Sequence, residues 1–318
     1  MVLKIAFQMD KIESVNINED TTFRLAEEAG KRGHKLFYYN PKDLSFCEGR
    51  VVCNCKPLEV RRDQGNHFTL GIAKVIDLSS EMDVVWLRQD PPFDMAYITN
   101  THLLELLKKS TLVVNDPFWV RNFPEKLLVL KYPDLIPPTV ITKNLHVIRK
   151  FRKRYGDIII KPIYGNGGFG VFKLKSADPN MGALLELLES LSAEPIIVQK
   201  YIPDVVRGDK RVILVDGNPV GAINRVPVSG EIRSNMHVGG KARKVSLTPR
   251  DKEICQKVKP LMREKGQLLV GLDIIGGVLT EINLTSPTGV QELERFNRIN
   301  VAGKIWDALE KRYAREFG

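Results

Sequence analysis

The stretch 158–174, IIIKPIYGNGGFGVFKL, limits what this chain can fold into more than any other. Four of the six residues 165–170 are glycine, and Gly165, Gly167 and Gly170 spell G-x-G-x-x-G. In a dinucleotide fingerprint such glycines lead straight into a helix whose amino terminus holds the pyrophosphate. Here they lead into VFKLKSADP, where Val171, Phe172 and Leu174 favour a strand and Pro179 bars a long helix from the loop. A Walker loop is excluded as well, since no Gly-Lys-Ser/Thr follows. What remains is strand, glycine hairpin, strand: a flap whose bare backbone amides can approach phosphate oxygens. A loop that only turns a hairpin needs fewer glycines, because each carries a conformational entropy cost. Protein kinases use such a flap, but no H-R-D-like loop or D-F-G lies downstream, and Lys161 precedes the glycines where a kinase lysine follows them. Lys161 emerges from the apolar strand DIII, held extended by Pro162, and is placed as a point charge for a phosphate.

The opposing chemistry lies in GLDIIGGVLTEINLTSPTG, residues 271–289. Glu281 and Asn283 are two apart on a predicted strand, so they share a face, and both offer the oxygen that a hard cation such as Mg²⁺ takes. Asp273 lies across the Gly276-Gly277 turn. A two-residue turn would pair 272 with 281 and send Asp273 to the other face; a three-residue loop pairs 273 with 281 and gathers all three. We expect the odd-length loop; two carboxylates on one face would otherwise repel, so the arrangement needs a metal.

Around these stretches the chain divides. Residues 1–122 interleave strands (LKIAFQMD, KLFYYN, DVVWLRQD, TLVVND) with helical patterns (TTFRLAEEAGKRGH, AYITNTHLLELLKKS), which implies a doubly wound α/β layer with a mostly parallel sheet. Ligands of such layers sit at strand carboxyl ends, where Asp10, Arg88 and Asp90 fall. The proline clusters PFWVRNFPEK and YPDLIPPTVI suit a junction. Beyond it the pattern is α+β: the flap and a helix over 181–192 within residues 123–203, then strands, helices and a polar loop within 204–318.

The net charge of +10 asks for an anionic partner. The densest basic run, IRKFRKRY at 148–155, turns Arg149, Arg152 and Lys153 outward and Ile148 and Phe151 inward on a helix, which is the pattern of a solvated face. Phosphate-bearing small molecules meet the charge with fewer residues than nucleic acid, and no nucleic-acid partner is expected. Cys47, Cys53 and Cys55 lie in a hairpin around Glu48-Gly49-Arg50 and, with the five histidines scattered, read as free thiols in a reducing compartment. The amino terminus resembles a first strand and no apolar run could cross a bilayer, so a cytoplasmic protein without a membrane partner is expected.

In order and spacing, LRQDPPFDMAYI, VVNDPFWVRNFPEKL, KPIYGNGG, GDKRVILVDG, IRSNM and VGLDIIGGVLTEINLTSPTG together resemble the bacterial glutathione synthetase family of ATP-grasp ligases, over nearly the whole chain. The resemblance implies a pre-ATP-grasp domain at 1–122, a small ATP-grasp subdomain at 123–203 and a carboxyl-terminal one at 204–318. It further implies ligation of glycine to γ-glutamylcysteine at the expense of ATP, through an acyl phosphate, with Mg²⁺ or Mn²⁺. By the same resemblance Lys126, Lys161, Gly165, Asn166, Gly167, Gly168, Gln199, Lys200, Tyr201, Ile202 and Asp209 bind ATP, the backbone of 200–202 reading the adenine edge. Asp273, Glu281 and Asn283 would hold the metal, and Arg211, Arg233 and Asn235 would act on the transferring group. Arg88, Arg225, Ser286, Pro287 and Thr288 would bind the other substrates. Residues 227–241, PVSGEIRSNMHVGGK, would form a lid that keeps water from the acyl phosphate. A homo-oligomer, a tetramer by resemblance, is implied. The flap departs from the family by carrying Phe169-Gly170 where two small residues are expected, which bears on its rigidity. A different ATP-grasp amide ligase would share the activation chemistry and differ in its acceptor pocket.

Overall fold

The computed structural model describes residues 1–191, 193–236 and 239–318. In the first third, β1 (Lys4–Gln8), α1 (Thr21–Lys31), β2 (Lys35–Tyr39), β3 (Leu44–Cys47), β4 (Arg50–Val60), β5 (Phe68–Leu70), β6 (Lys74–Asp77), α2 (Leu78–Glu81), β7 (Val84–Leu87), α3 (Met95–Glu105) and β8 (Leu112–Val114) build one sheet. Its order is β3-β4-β2-β1-β7-β8, with β5 and β6 paired to β4. The run β2-β1-β7-β8 is parallel, and its residues are almost all buried, as covered parallel strands require. The other strands pair antiparallel, so the sheet is mixed where a mostly parallel one was expected. Their source is the cysteine hairpin, which turns at Glu48-Gly49 with φ of 47° and 84° and continues into an eleven-residue β4 long enough to pair with four neighbours.

Past α4 (Pro117–Asn122) and α5 (Glu125–Leu128) comes a four-stranded antiparallel sheet. Its strands are β9 (Thr139–Thr142), β10 (Ile158–Pro162), β11 (Phe172–Leu174) and β12 (Ile196–Lys200), in the order β11-β10-β12-β9, with α6 (Leu145–Tyr155) and α7 (Met181–Leu191) in the connections. The expected end of α7 at Ser192 lies outside the described residues. Ile148, Ile158, Ile160, Leu174, Met181, Leu185 and Val198 form its small core. On α6, Arg149 and Lys153 face solvent, whereas Arg152 is tied to the carbonyls of Lys175 and Asp178.

The last sheet, β15-β14-β13-β16-β17, is also antiparallel. Its members are β13 (Asp209–Val215), β14 (Asn218–Val226), β15 (Lys241–Lys244), β16 (Leu269–Ile275) and β17 (Val278–Asn283), with α8 (Pro249–Glu264), α9 (Val290–Asn297) and α10 (Val301–Phe317) beside them. α10 returns to the first sheet, where Trp306 meets Trp86 edge-on at 5.8 Å and donates to the Leu25 carbonyl at 2.9 Å. Burying two such rings contributes roughly 1.5–3 kcal/mol or more apiece. Asn115, just after β8, sends Nδ2 to the carbonyls of Leu269 and Leu284, both at 2.8 Å, and accepts from Leu269 N at 3.0 Å. This buried amide joins the first sheet to the last and fixes where β16 begins and β17 ends. No helix among the described residues is long and apolar enough to cross a membrane.

The register of β16 and β17 decides the site. Asp273 pairs with Glu281 as expected, but by a different device. The turn is two residues, Gly276-Gly277, with Ile275 opposite Val278 and Ile274 opposite Leu279. A bulge at Thr280 then shifts the register by one, and Thr280 Oγ1 donates to the Asp273 carbonyl at 3.1 Å. The extra residue, not an odd loop, brings the two carboxylates opposite each other.

Candidate active site

A cleft of about 870 Å³, open to solvent, lies between the second and third sheets. Its basic wall comes from β10 and α5. Lys161 is 9% exposed on β10, and its ammonium makes no hydrogen bond or close ion pair among the described residues. Burial pulls its pKa down, Glu281 across the cleft pulls it up, and Lys126 opposes it. A buried ammonium without a partner fits a site that an anion completes. Lys126 binds the Gly165 carbonyl and lies 3.6 Å from Glu281 Oε1.

The flap covers this wall. Gly167, Gly168 and Gly170 have φ of 59°, 83° and 69°, which side chains disfavour. A Cβ on Gly168 would lie 2.9 Å from Asn235 Oδ1 and 3.1 Å from Arg233 Cδ, so flap and lid touch there. Phe169 is 75% exposed, and Tyr164 at the flap's start stacks on Phe93 of the first lobe at 5.9 Å. Gly165, Asn166 and Phe169 also line the cleft.

At the inner end, Gln199, Lys200, Tyr201 and Ile202 line the cleft as β12 leaves its sheet. Gln199 Nε2 donates to Thr139 Oγ1 at 3.0 Å, and Lys173 Nζ sits 3.6 Å over the Tyr201 ring. The backbone N–H groups of Lys200 and Tyr201 are bonded to Pro138 and Asp157. Of the three residues 200–202, Ile202 keeps its N–H without a partner among the described residues.

Asp209, Asp273 and Glu281 form the acidic wall. Asp273 meets both Arg211 and Arg225, and Arg225 also pairs with Asp209, its register partner. Asn283 Nδ2 donates to the Gly271 carbonyl at 3.2 Å, leaving Oδ1 as an acceptor. Among the described residues no three acidic, histidine or cysteine side chains converge as a ready-made metal cluster. The donors present are instead two carboxylates held opposite each other plus an amide oxygen, an all-oxygen set that fits a hard cation and not a soft one. All four thiols are free, with Cys53, Cys55 and Cys255 buried away from the cleft and Cys47 exposed.

Arg211, Arg225, Asn283, Arg88, Ser286, Pro287 and Thr288 do not line the cleft but stand behind its acidic wall. Arg211 Nη1 donates to the Thr288 carbonyl at 3.3 Å. Arg88 donates to Thr22 Oγ1 at 2.9 Å and to the Pro287 carbonyl at 3.3 Å, while its buried Nη1 has no partner among the described residues. Arg88 thus brings the first lobe against the loop after β17.

Within residues 227–241, Arg233, Ser234 and Asn235 line the cleft, and Arg233 pairs with Glu231 at 2.6 Å. His237 and Val238 of that stretch lie outside the described residues. Ser234, which the sequence does not single out, is 4% exposed and donates to Asp209 Oδ2 at 3.0 Å. Glu125, also unmarked by spacing, bonds the loop after β17; its only signal is adjacency to Lys126 in Pro124-Glu125-Lys126.

A flap hinged on a small antiparallel sheet, facing an acidic strand pair across an open cleft, is the arrangement of an ATP-grasp protein. The solved D-cycloserine synthetase DcsG shares the fold, with a TM-score of 0.69 at 16% identity over 98% of this chain and 99% of that one. So does a RimK domain ATP-grasp protein from Sphaerobacter thermophilus, with a TM-score of 0.65 at 14% identity over 96% and 98%. The family profile for the prokaryotic glutathione synthetase N-terminal domain matches residues 3–121, and that for the prokaryotic glutathione synthetase ATP-grasp domain matches 125–298. The chain belongs to the prokaryotic glutathione synthetase family. It is 56% identical to a glutathione synthetase of Brucella melitensis, over 98% of this chain and 100% of the relative. It is 41% identical to one of Yersinia pestis, over 98% and 99%. The fold is one that binds nucleotide and metal in general.

Proposed function

We propose that the protein is a glutathione synthetase: it joins γ-glutamylcysteine and glycine, with ATP converted to ADP and phosphate. The observation that carries the site assignment is the Asp273–Glu281 register, which sets two carboxylates against Lys126 and Lys161 beneath a glycine flap. Membership of the family and the full-length relatives support the activity.

In this reading the triphosphate lies between the two walls. Flap amides at 165–168 and the ammonium groups of Lys126 and Lys161 take its oxygens, and Ile202 N–H reads the adenine edge. Asp273, Glu281 and Asn283 would hold Mg²⁺ or Mn²⁺, which when bound supplies neutralisation of phosphate charge. The cysteinyl carboxylate attacks the γ-phosphorus, the bond from it to the bridging oxygen breaks, and ADP leaves. The glycine amine then displaces phosphate from the acyl carbon and loses a proton. Anion attacks anion in the first step, so positive charge around the γ-phosphate dominates the rate enhancement. Arg211 contributes to that charge through the wall it braces and Arg233 contributes from the lid, where Asn235 adds a neutral hydrogen-bond donor as the lid excludes water. Ser286, Pro287 and Thr288 offer the receiving edge for a substrate carboxylate, with Arg88 and Arg225 beside them.

The test is a coupled ADP-release assay. ADP formation that requires γ-glutamylcysteine and glycine together is the expected result. Release indifferent to glycine contradicts it and points to a different amide ligase.

A further inference from the structure

One carboxylate is built into this site without a part in the reaction just described. Glu125 opens α5, directly before Lys126, and its Oε1 accepts three hydrogen bonds: from Leu284 N at 2.9 Å, Thr285 N at 3.1 Å and Thr285 Oγ1 at 2.8 Å. Two of these donors are consecutive backbone amides where the chain leaves β17. Charge-assisted bonds of this kind are roughly twice as strong as neutral ones.

The residues that follow are held just as firmly, each by a different element. Leu284 is gripped from its other side by Asn115, whose Nδ2 reaches the carbonyl at 2.8 Å. Ser286 Oγ donates to Asp90, the Pro287 carbonyl accepts from Arg88, and the Thr288 carbonyl accepts from Arg211. Every residue from 284 to 288 is therefore fixed by a side chain from outside the loop. A connection that only leaves a sheet needs no such fixing, since loops usually satisfy their backbone with water or local turns. Glu125 and Asn115 set the position from which the other three contacts follow.

We infer that Glu125 is a positioning residue: it fixes the 284–288 loop as the receiving edge for the peptide substrate and so sets peptide affinity, without acting on ATP. The inference rests on the proposed function. Lys126 is the competing explanation, because Glu125 could matter only by placing its neighbour. That alternative moves ATP affinity, whereas the loop role moves peptide KM.

The experiment compares wild type, Glu125→Ala, Glu125→Gln and Thr285→Val. It measures KM for γ-glutamylcysteine at saturating ATP and glycine, and ATP Kd in the absence of the other substrates. Glu125→Ala is expected to raise peptide KM about tenfold, the worth of roughly one charge-assisted bond, with ATP Kd changed less than about twofold. Glu125→Gln keeps an acceptor oxygen and is expected to recover most of that loss. Thr285→Val removes one bond of the three and is expected to show the same split at smaller size; it carries the test if Glu125→Ala does not fold. Unchanged peptide KM in Glu125→Ala and Thr285→Val overturns the inference. So does an equal loss of ATP affinity, or a Glu125→Gln variant as impaired as Glu125→Ala. An inactive wild type would instead contradict the proposed function, so the two failures are distinguishable.

Discussion

Arg211 and Asp273 stand opposite each other on β13 and β16 and meet through two parallel contacts, Nε to Oδ1 at 2.5 Å and Nη2 to Oδ2 at 3.0 Å. Arg225 adds a third, to Oδ2 at 2.9 Å. Burial alone would raise the pKa of Asp273; the two guanidinium groups outweigh it and leave the carboxyl well below its usual range. Asp273 is thus ionised throughout the neutral range and rigidly aimed, as the proposed metal role beside Glu281 requires.

This pairing makes Asp273 a structural as well as a functional group. Asp273→Asn leaves two buried arginines short of counter-charge, and breaking such a network costs about 3–5 kcal/mol. Urea unfolding is expected to show a lower midpoint alongside lost turnover. An unchanged midpoint would mean that the arginines find other partners.

Glu281 differs because it faces the open cleft, with Lys126 at 3.6 Å as its one ion-pair contact among the described residues. Glu281→Gln should cut kcat by about a hundredfold or more while leaving the urea midpoint within error of wild type. Near-normal turnover would remove Glu281 from the metal set.

Asp209 gives a pH signature. Burial pushes its pKa from 3.8 up to about 6, with Arg225 pulling down and Asp273 pushing up. A carboxyl whose pKa is higher in the folded state contributes stability that is full below its unfolded value and is lost as pH rises through its folded value. The stability of wild type minus that of Asp209→Asn should therefore fall between roughly pH 4 and pH 6 and level off above. Asp273 shifts oppositely, so its own contribution is present above about pH 4 and lost below it. Urea midpoints of both proteins from pH 4 to pH 8 check this, and a flat difference contradicts it.

Gly168 tests the flap–lid contact. A methyl group there meets Asn235 at 2.9 Å and Arg233 at 3.1 Å on a backbone with φ of 83°. Gly168→Ala should raise ATP KM about tenfold and leave global stability within about 1 kcal/mol, because the flap carries none of the core. Unchanged ATP KM would mean that flap and lid move independently of nucleotide binding.

Much of this site was legible in the sequence because its chemistry is local. The glycine flap, Lys161 at a strand end and the Glu281/Asn283 alternation follow from periods of two and from backbone rules. The D…E pairing was legible too, but its cause was not: the Thr280 bulge is stabilised by a bond to Asp273 across the hairpin, which turn composition does not encode. Strands β5 and β6 were hidden because they are short and partly exposed, and β5 follows directly on the polar stretch 61–67. Ser234 gave no signal, and Glu125 only its place beside Lys126, because each acts through a partner 25 or at least 159 residues away, and a serine or glutamate in a polar segment is unremarked until the fold closes on it.

The central claim, that one cleft grips a triphosphate between a basic, glycine-covered wall and an oxygen-donor wall, is tested most directly by a crystal structure with a non-hydrolysable ATP analogue and Mn²⁺. Anomalous scattering locates the metal. The account predicts Mn²⁺ held by Asp273, Glu281 and Asn283 beside the bound nucleotide, with Lys161 Nζ on a phosphate oxygen. Metal sited beyond a water-bridged reach of the Glu281 carboxylate, or nucleotide bound elsewhere, would contradict it.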